Sequence, residues 1–344
     1  MLRVEREGFE PQERTLGEVL PLDLDVALHR GVLWQHEAGA EYDSSPLVAD
    51  ERVYIAGRDR HMTALDLADG RVLWSVRLGL YGDAGVRPVR TAAGLVIGTG
   101  AGEVMCLSPD DGAIRWSRPI GASIEDELFA TRGESGVVVV PGADGRLAAL
   151  AVADGSTRWE AGPGEMAVAT APRMVDDAVF AYAAAGHGLG IRGIGDGELK
   201  VRPVATRALA GAPSADVGRI WAATRDGTMC VFSAATGKAL KSFPLPTVSP
   251  YAPAVVGDTA FVTCTDGAVA ALRADGERLF TTPLPAAAGA TPAFVDGQLF
   301  VQGSDGVLYV LDATRGSLVW RYEAGSPMLA TPTVTEGAVL IANS

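Results

Sequence analysis

The stretch ALDLADGRVLW, residues 64–74, decides the fold, because it contains the end of one strand, an Asp-Gly turn and a second strand that closes on Trp74. Nearly the same string recurs as CLSPDDGAIRW (106–116), ALAVADGSTRW (149–159) and VLDATRGSLVW (310–320). Weaker copies lie at 24–34, 193–201, 231–241 and 271–280. A string that recurs along the whole chain is a structural repeat rather than the signature of one active site.

The spacing of the repeat identifies the structural unit. The positions that close each copy are Trp34, Trp74, Trp116, Trp159, Val201, Lys241, Phe280 and Trp320, at intervals of 39 to 43 residues. One four-stranded blade of a β-propeller takes about 40 to 50 residues. The repeat therefore predicts the blades of a β-propeller, the fold that WD40-like proteins also adopt.

The order of turns and strands within one interval supports this prediction. Residues 291–320 contain four short apolar strands separated by Asp-Gly and Gly turns, and no helical periodicity appears between residues 34 and 344. Seven complete sets lie between Trp34 and Trp320, with two strands left before them (LDLDVAL, GVLW) and two after (ATPTV, AVLIANS). We therefore predict an all-β, eight-bladed β-propeller of four-stranded antiparallel blades, with the last blade closed by both termini.

Length agrees with this arrangement, since 344 residues divided among eight blades give 43 residues each. The predicted organisation is an N-terminal extension, 1–21, followed by a single propeller, 22–344. A ring of seven blades with loose ends is the alternative, and it leaves good strands unpaired.

Composition excludes several classes of protein. A net charge of −13 argues against nucleic acid and anionic membrane surfaces as partners. No stretch of about 18 apolar residues predicts a membrane span. The charged first fifteen residues lack the apolar core of a secretion signal, so the expected location is cytoplasmic unless the chain is cut from a longer precursor. Cys106, Cys230 and Cys264 lie far apart in strand contexts, as expected of reduced buried thiols.

The tryptophan-closed strings resemble the docking repeat of the pyrroloquinoline-quinone-like propellers over residues 22–344. The resemblance implies the propeller fold, and its members include quinoprotein alcohol dehydrogenases, a periplasmic outer-membrane assembly lipoprotein and sensor domains of bacterial Ser/Thr kinases. The dehydrogenases carry two adjacent cysteines and a calcium site, and this sequence has no adjacent cysteines. We therefore expect no cofactor, no metal and no quinone-dependent dehydrogenase. The lipoprotein needs a secretion signal and a lipidated cysteine near its N-terminus, whereas the first cysteine is Cys106, so this member is set aside.

The segments that connect the blades indicate where a site lies. They share one end of the propeller with the hairpins between the second and third strands, and function concentrates in such loops. The connections after the first four blade ends are acidic, whereas later ones read PLPTVSPYAP and PLPAAAGATP. This division suits a cationic or amphipathic ligand or a basic partner segment. A solvated charged rim is the simpler alternative.

Two sets of candidate residues follow. The catalytic candidates are His36 as a general base with Glu37 and Asp43, and the carboxylates Glu125, Asp126 and Glu127. The ligand-binding candidates are Tyr42, Arg87, Arg90, Arg173 and Tyr251. The three arginines lie in the innermost strands, where a charged group meets solvent, a carboxylate or a ligand. They either pair with the acidic loops or capture an anion.

Three functions remain open. The first is a monomeric binding or interaction module for a protein or small molecule. The second is a ligand-sensing domain related to the kinase-attached propellers. The third is a cofactor-independent enzyme of the cyclase, lyase or isomerase type, with a small amphipathic substrate at the channel mouth.

Overall fold

The computed structural model describes residues 2–4, 12–14, 32–36, 44–79, 86–164, 167–186, 188–201, 207–216, 218–328, 330–335 and 338–342. Within these ranges the chain forms 32 β-strands, most of them in four-stranded antiparallel sheets whose strands pair in chain order. The all-β class and the four-stranded antiparallel blades predicted above are confirmed.

The first four blades cover the N-terminal half of the ring. Blade 1 contains β3 (Leu47–Ala49), β4 (Arg52–Ala56), β5 (His61–Asp66) and β6 (Val72–Arg77). Blade 2 contains β7 (Val89–Thr91), β8 (Gly94–Gly98), β9 (Glu103–Leu107) and β10 (Ile114–Pro119). Blade 3 contains β11 (Phe129–Ala130), β12 (Val137–Pro141), β13 (Leu147–Ala151) and β14 (Thr157–Ala161). Blade 4 contains β15 (Arg173–Met174), β16 (Val179–Ala184), β17 (Gly188–Gly193) and β18 (Leu199–Val201).

Three further blades follow the same plan. Blade 5 contains β19 (Ser214–Asp216), β20 (Arg219–Ala223), β21 (Thr228–Ser233) and β22 (Ala239–Pro244). Blade 6 contains β23 (Ala254–Val256), β24 (Thr259–Thr263), β25 (Ala268–Arg273) and β26 (Arg278–Pro283). Blade 7 contains β27 (Ala293–Val295), β28 (Gln298–Gln302), β29 (Val307–Asp312) and β30 (Leu318–Glu323). The first strands of successive blades approach one another, so they are innermost and surround the central channel.

The number of blades differs from the prediction. The described residues form seven four-stranded blades, and the prediction of eight is wrong. Among the residues that the structure describes, the last two strands, β31 (Thr333–Val334) and β32 (Val339–Leu340), pair only with each other. The strands predicted to complete their sheet lie mostly outside the described residues, and the described residues 32–36 form no strand. A further pair of strands, β1 (Leu2–Val4) and β2 (Gln12–Arg14), lies within the predicted N-terminal extension.

The two-stranded sheet lies between blade 7 and blade 1. The Thr333 hydroxyl donates a hydrogen bond to the carbonyl of Pro46, at 2.7 Å. Leu340 packs against Val53 and Ile55 of blade 1, while other side chains of this sheet pack on blade 7. Among the described residues, this two-stranded sheet is therefore joined to blade 1 by side-chain packing and a hydrogen bond.

The hydrophobic core is divided among the interfaces between neighbouring sheets. One apolar cluster joins blades 1 and 2, another blades 2 and 3, and the same arrangement continues around the ring. The second and third strands of each blade supply most of these side chains, including the fully buried Tyr54, Phe180, Tyr182 and Trp221. Each blade is thus stabilised mainly by the blades beside it.

The turn between the third and fourth strands of a blade is contacted by a side chain of the preceding blade. The third and fourth strands of every blade are offset by a β-bulge, as between Ala149 and Leu150. The indole of Trp159, just after that bulge, donates to the carbonyl of Ile194 in blade 4, at 2.7 Å. Trp34, Trp74 and Trp116 make the equivalent bond.

Glycine is needed where the tryptophan meets the next turn. Gly197 has a φ of 67°, and a Cβ added there would stand 2.5 Å from Cδ2 of Trp159. A side chain at this position is therefore disfavoured both by backbone conformation and by space.

The two ends of the ring differ in the loops they carry. The residue after the fourth strand donates a hydrogen bond to the hairpin between the second and third strands, as from Leu78 to Arg60 and from Leu245 to Gly227. These hairpins and the connections between blades therefore share one end, which we call the loop-rich end. The remaining turns form the opposite end.

Candidate functional site

The central channel opens at the loop-rich end into a cavity of about 400 Å³. Its walls come from the segments that precede the first strand of each sheet. The lining residues are Ser44, Ser45, Val86, Arg87, Glu125, Asp126, Glu127, Thr170, Ala171, Arg173, Ala210, Gly211, Ala212, Pro250, Tyr251, Ala252, Ala290, Thr291, Ala330 and Thr331. Six of the candidate residues, from four segments, therefore line one cavity.

A recurrent proline positions this lining. Seven of the segments contain a buried proline, as at Pro88 and Pro172, and the residue before each proline faces the cavity. Proline holds the preceding residue in an extended conformation and anchors the segment in the core. The lining residues at this register are Ser45, Arg87, Ala171, Ala212, Ala252, Thr291 and Thr331, with Glu127 at the equivalent place before buried Leu128. The residue before the recurrent proline is a sequence signal that identifies the serine, threonine and alanine lining residues missed above.

An ion pair joins blades 3 and 4 across the cavity wall. Nη1 of Arg173, the first residue of β15, lies 2.6 Å from Oε2 of Glu127. Both side chains are about one-third exposed, at 34% and 35%. This pair satisfies one cation and one carboxylate of the lining.

Arg87 is less completely satisfied. Its Nε is buried and has no hydrogen-bond acceptor among the described residues. Burial lowers the pKa of Arg87, the Glu127 carboxylate opposes that effect, and the nearby Arg173 adds to it. The guanidinium is therefore a desolvated cation whose nearest carboxylate already belongs to another arginine.

Two carboxyl groups complete the charged part of the cavity. Asp126 and Glu125 form no ion pair with a described residue, although Oε1 of Glu125 accepts a hydrogen bond from the Ser123 hydroxyl at 3.0 Å. Burial is the main cause that raises the pKa of Asp126. Arg173 opposes the effect, and the charges of Glu127 and Glu125 reinforce it. The cavity is therefore lined by one arginine and two carboxyl groups that form no ion pair with a described residue.

The other part of the lining is apolar. The segments before blades 5, 6 and 7 contribute Ala210, Ala212, Ala252 and Ala290, with the half-buried ring of Tyr251. Burial raises the pKa of the Tyr251 phenol, so it stays a neutral donor at physiological pH. Charged and apolar lining residues thus occupy different sectors of the cavity, in the same blades where the sequence placed acidic and apolar connections.

Several candidates lie elsewhere. Arg90 is in β7 but outside the cavity, and its Nε donates to Oδ2 of Asp50 at 2.8 Å. Glu37, Tyr42 and Asp43 lie outside the described residues. His36 is described and is not among the lining residues. His36 therefore does not line the cavity. Its role as a general base with Glu37 stays a prediction.

The side chains that commonly hold a metal or a quinone were predicted from the sequence to be missing, and the described residues can be compared with that expectation. The described ranges contain no group of three or more metal-ligating side chains. Cys106, Cys230 and Cys264 are free and buried, and burial raises the pKa of Cys106 to about 11. None of them lines the cavity, so it lacks the adjacent cysteines that the quinone-dependent relatives carry. No helix in the described part of the chain is long and apolar enough to span a membrane.

The raised pKa of Asp126 predicts a pH-dependent effect on stability. A raised pKa means that the folded state binds the proton more tightly than the unfolded chain, so ionisation at pH 7 destabilises the fold. We expect Asp126→Asn to raise the free energy of unfolding at pH 7, measured by urea unfolding, by less than about 1 kcal/mol because the carboxyl still reaches solvent. The gain shrinks as the pH falls through the pKa of Asp126 towards about 3.9, the value of an unfolded aspartate. A gain that does not change with pH contradicts this assignment.

Comparison with known proteins shows which family of propellers the chain matches. A family model described as outer membrane protein assembly factor BamB matches residues 29–132, 78–199, 143–293 and 274–344, which together extend over most of the chain. The BamB of Yersinia pestis is 28% identical over 151 residues, or 39% of this chain and 37% of that protein. The matched stretch thus spans little more than a third of that relative.

Solved structures show the same fold. The computationally designed Ika8 protein superposes with a TM-score of 0.78 at 17% identity, covering 90% of this chain and 96% of that one. BamB from Moraxella catarrhalis superposes with a TM-score of 0.73 at 19% identity, covering 88% and 96%. At these identities the likeness concerns the fold alone. The resemblance to the pyrroloquinoline-quinone-like propellers is confirmed, and the assembly-factor member that the N-terminal residues had set aside is the one whose family model matches.

Proposed function

Because the chain belongs to the family described as outer membrane protein assembly factor BamB, we propose that it is a protein-interaction module that takes part in the assembly of a larger complex. The partner binds at the loop-rich end. The observation that carries this proposal is the meeting of eight chain segments around one cavity whose lining is charged on one side and apolar on the other. Such a surface offers both an apolar contact and charged groups that orient a partner.

The charge of the chain favours a basic partner segment. The net charge is −13, and aspartates recur in the hairpins of the loop-rich end, including Asp144, Asp266 and Asp305. Carboxylates around an apolar contact speed association with a basic partner and exclude acidic ones. The cytoplasmic location and the monomeric state expected from the sequence stay predictions, which cell fractionation and sedimentation test.

Two matched triple variants test where the partner binds. Asp144, Asp266 and Asp305 each accept a backbone N–H in a loop-rich hairpin, and asparagine keeps that acceptor while it removes the charge. Asp69, Asp154 and Asp275 do the same in turns of the opposite end. The two triples therefore change the net charge equally and keep equivalent turn bonds.

We expect the triple variant at the loop-rich end to bind the partner at least about tenfold more weakly, since several charge pairs are lost together. The measurement is affinity capture from an extract of the source cells, with the retained protein identified by mass spectrometry and its affinity then measured with purified components. The triple variant at the opposite end should retain the same protein. Equal retention by both variants, or equal loss, would overturn the proposed surface.

A further inference from the structure

The lining of the cavity also fits a small molecule, independently of any protein partner. We propose that the channel mouth binds a free α-amino acid with an apolar side chain, its carboxylate on Arg87 and its ammonium between Glu125 and Asp126. The apolar side chain then lies against the alanine-rich sector beside Tyr251. This inference goes beyond the interaction role proposed above and does not require it.

The carboxylate position follows from Arg87. Its Nε is buried without an acceptor, and the one carboxylate that acts strongly on it, Glu127, is held 2.6 Å from Arg173. A planar guanidinium matches a carboxylate in two parallel hydrogen bonds. A ligand carboxylate would supply the missing acceptor and neutralise the buried cation.

The ammonium position follows from the two carboxyls that have no ion pair. Asp126 and Glu125 are consecutive on the segment before β11 and both line the cavity. Burial raises the pKa of Asp126, and the charge of Arg173, which is paired with Glu127, does not cancel the effect. An ammonium has three donors and can serve both carboxylates together.

Charge balance selects a zwitterion over singly charged ligands. The lining contains two arginines and three carboxylates, and the Arg173–Glu127 pair is internally satisfied. A simple anion satisfies Arg87 but leaves Asp126 and Glu125 without a cation. A simple cation does the reverse, so only a ligand that carries both charges satisfies both groups.

The remaining space suits an apolar group. The sector opposite the charges is built from alanines and glycine with one half-buried tyrosine ring, so little side-chain volume fills it. A cavity of about 400 Å³ lies at the small end of the range of roughly 300 to 1,000 Å³ for small-molecule sites. An amino acid of the size of leucine or phenylalanine is accordingly the expected ligand.

Calorimetric titration of the full chain tests the proposal. The probes are L-leucine and L-phenylalanine, with N-acetyl-L-leucine, which keeps only the carboxylate, and L-leucinamide, which keeps only the ammonium. We expect at least one amino acid to bind, and each blocked analogue to bind at least about tenfold more weakly, since each loses one charge-assisted contact. The proposal is overturned if neither amino acid binds at about 10 mM, a concentration about ten times the Kd of a weak, millimolar ligand.

The blocked analogues also separate a free amino acid from a chain terminus. A peptide C-terminus resembles N-acetyl-L-leucine, and a peptide N-terminus resembles L-leucinamide. If either analogue binds as tightly as L-leucine, the site recognises one end of a polypeptide and the zwitterion assignment is wrong.

Variants test the two charge positions. Arg87→Gln and Asp126→Asn should each weaken L-leucine binding at least about tenfold. Arg87→Gln should leave the weak binding of L-leucinamide unchanged, which a general distortion of the cavity would not. The matched controls Arg273→Gln and Glu277→Gln alter an exposed ion pair of blade 6 and should bind L-leucine normally. Equal weakening by variants and controls, or normal binding by both cavity variants, contradicts the assignment.

Discussion

Replacement of Trp74 by alanine should lower the free energy of unfolding by about 3 to 5 kcal/mol, the cost typical of deleting a buried tryptophan. The Trp74 side chain is only 8% exposed and packs in the cluster that joins blades 1 and 2. Its ring lies 6.0 Å from that of Tyr54, and its Nε1 donates to the carbonyl of Pro109 at 2.9 Å. The loss therefore comes from packing within blade 1 and from the contact between blades 1 and 2. Urea unfolding followed by circular dichroism measures it.

Trp74→Phe separates packing from hydrogen bonding. Phenylalanine keeps much of the ring area but has no N–H. The Pro109 carbonyl still accepts a hydrogen bond from Nη1 of Arg52, at 2.6 Å, so it is not left without a partner. The expected loss is about 1 kcal/mol for the hydrogen bond, plus a small packing term. If Trp74→Ala costs no more than Trp74→Phe, the tryptophan is not a significant contact between the blades.

The second large effect is expected at Gly197. Alanine there has to adopt a φ of 67° and to place its Cβ against the indole of Trp159. The positive φ costs about 1 to 2 kcal/mol, and overpacking of the ring adds about 1 to 3 kcal/mol. Gly197→Ala should therefore lower the free energy of unfolding by about 2 to 5 kcal/mol, measured in the same way.

Gly297 provides the matched control, because its φ is 75° and no atom lies within 4 Å of an added Cβ. Gly297→Ala should cost only the backbone term, about 1 to 2 kcal/mol. In a Trp159→Ala background, Gly197→Ala should cost about as much as the control, because the atoms it strikes are gone. A cost at Gly197 that is unchanged in that background would mean that the tryptophan does not explain the glycine.

The local part of the fold was readable from the sequence. The tight turns and the residue that follows each bulge, a tryptophan in four of the seven blades, are set by residues within a dozen positions of one another, so the strand pairs of all seven blades followed from the repeat. The eighth blade was not correctly predicted, because it required strands from both ends of the chain to join in one sheet. Local turn chemistry carries no information about such pairing, and among the described residues β31 and β32 are linked to their neighbours by side-chain packing and by the hydrogen bond from Thr333 to Pro46.

The sequence also predicted part of the candidate site. Arg87 and Arg173 were found because a charge in an innermost strand is unusual, and both line the cavity. Arg90 did not follow them. It lies three residues after Arg87, about 10 Å further along an extended chain, where its guanidinium reaches Asp50. The small lining residues were missed because serine, threonine and alanine carry no distinctive signal without the register of the prolines.

At these prolines, the residue that stabilises the fold and the residue that lines the cavity are different but adjacent. The proline is buried and belongs to the scaffold, while the residue before it lines the cavity, and Arg87, Ala212, Thr291 and Thr331 are only partly buried. These four positions can therefore change their chemistry at smaller cost to folding than the prolines. A few substitutions immediately before these prolines would therefore change the lining of the cavity, and with it the ligand, while the propeller itself stays the same.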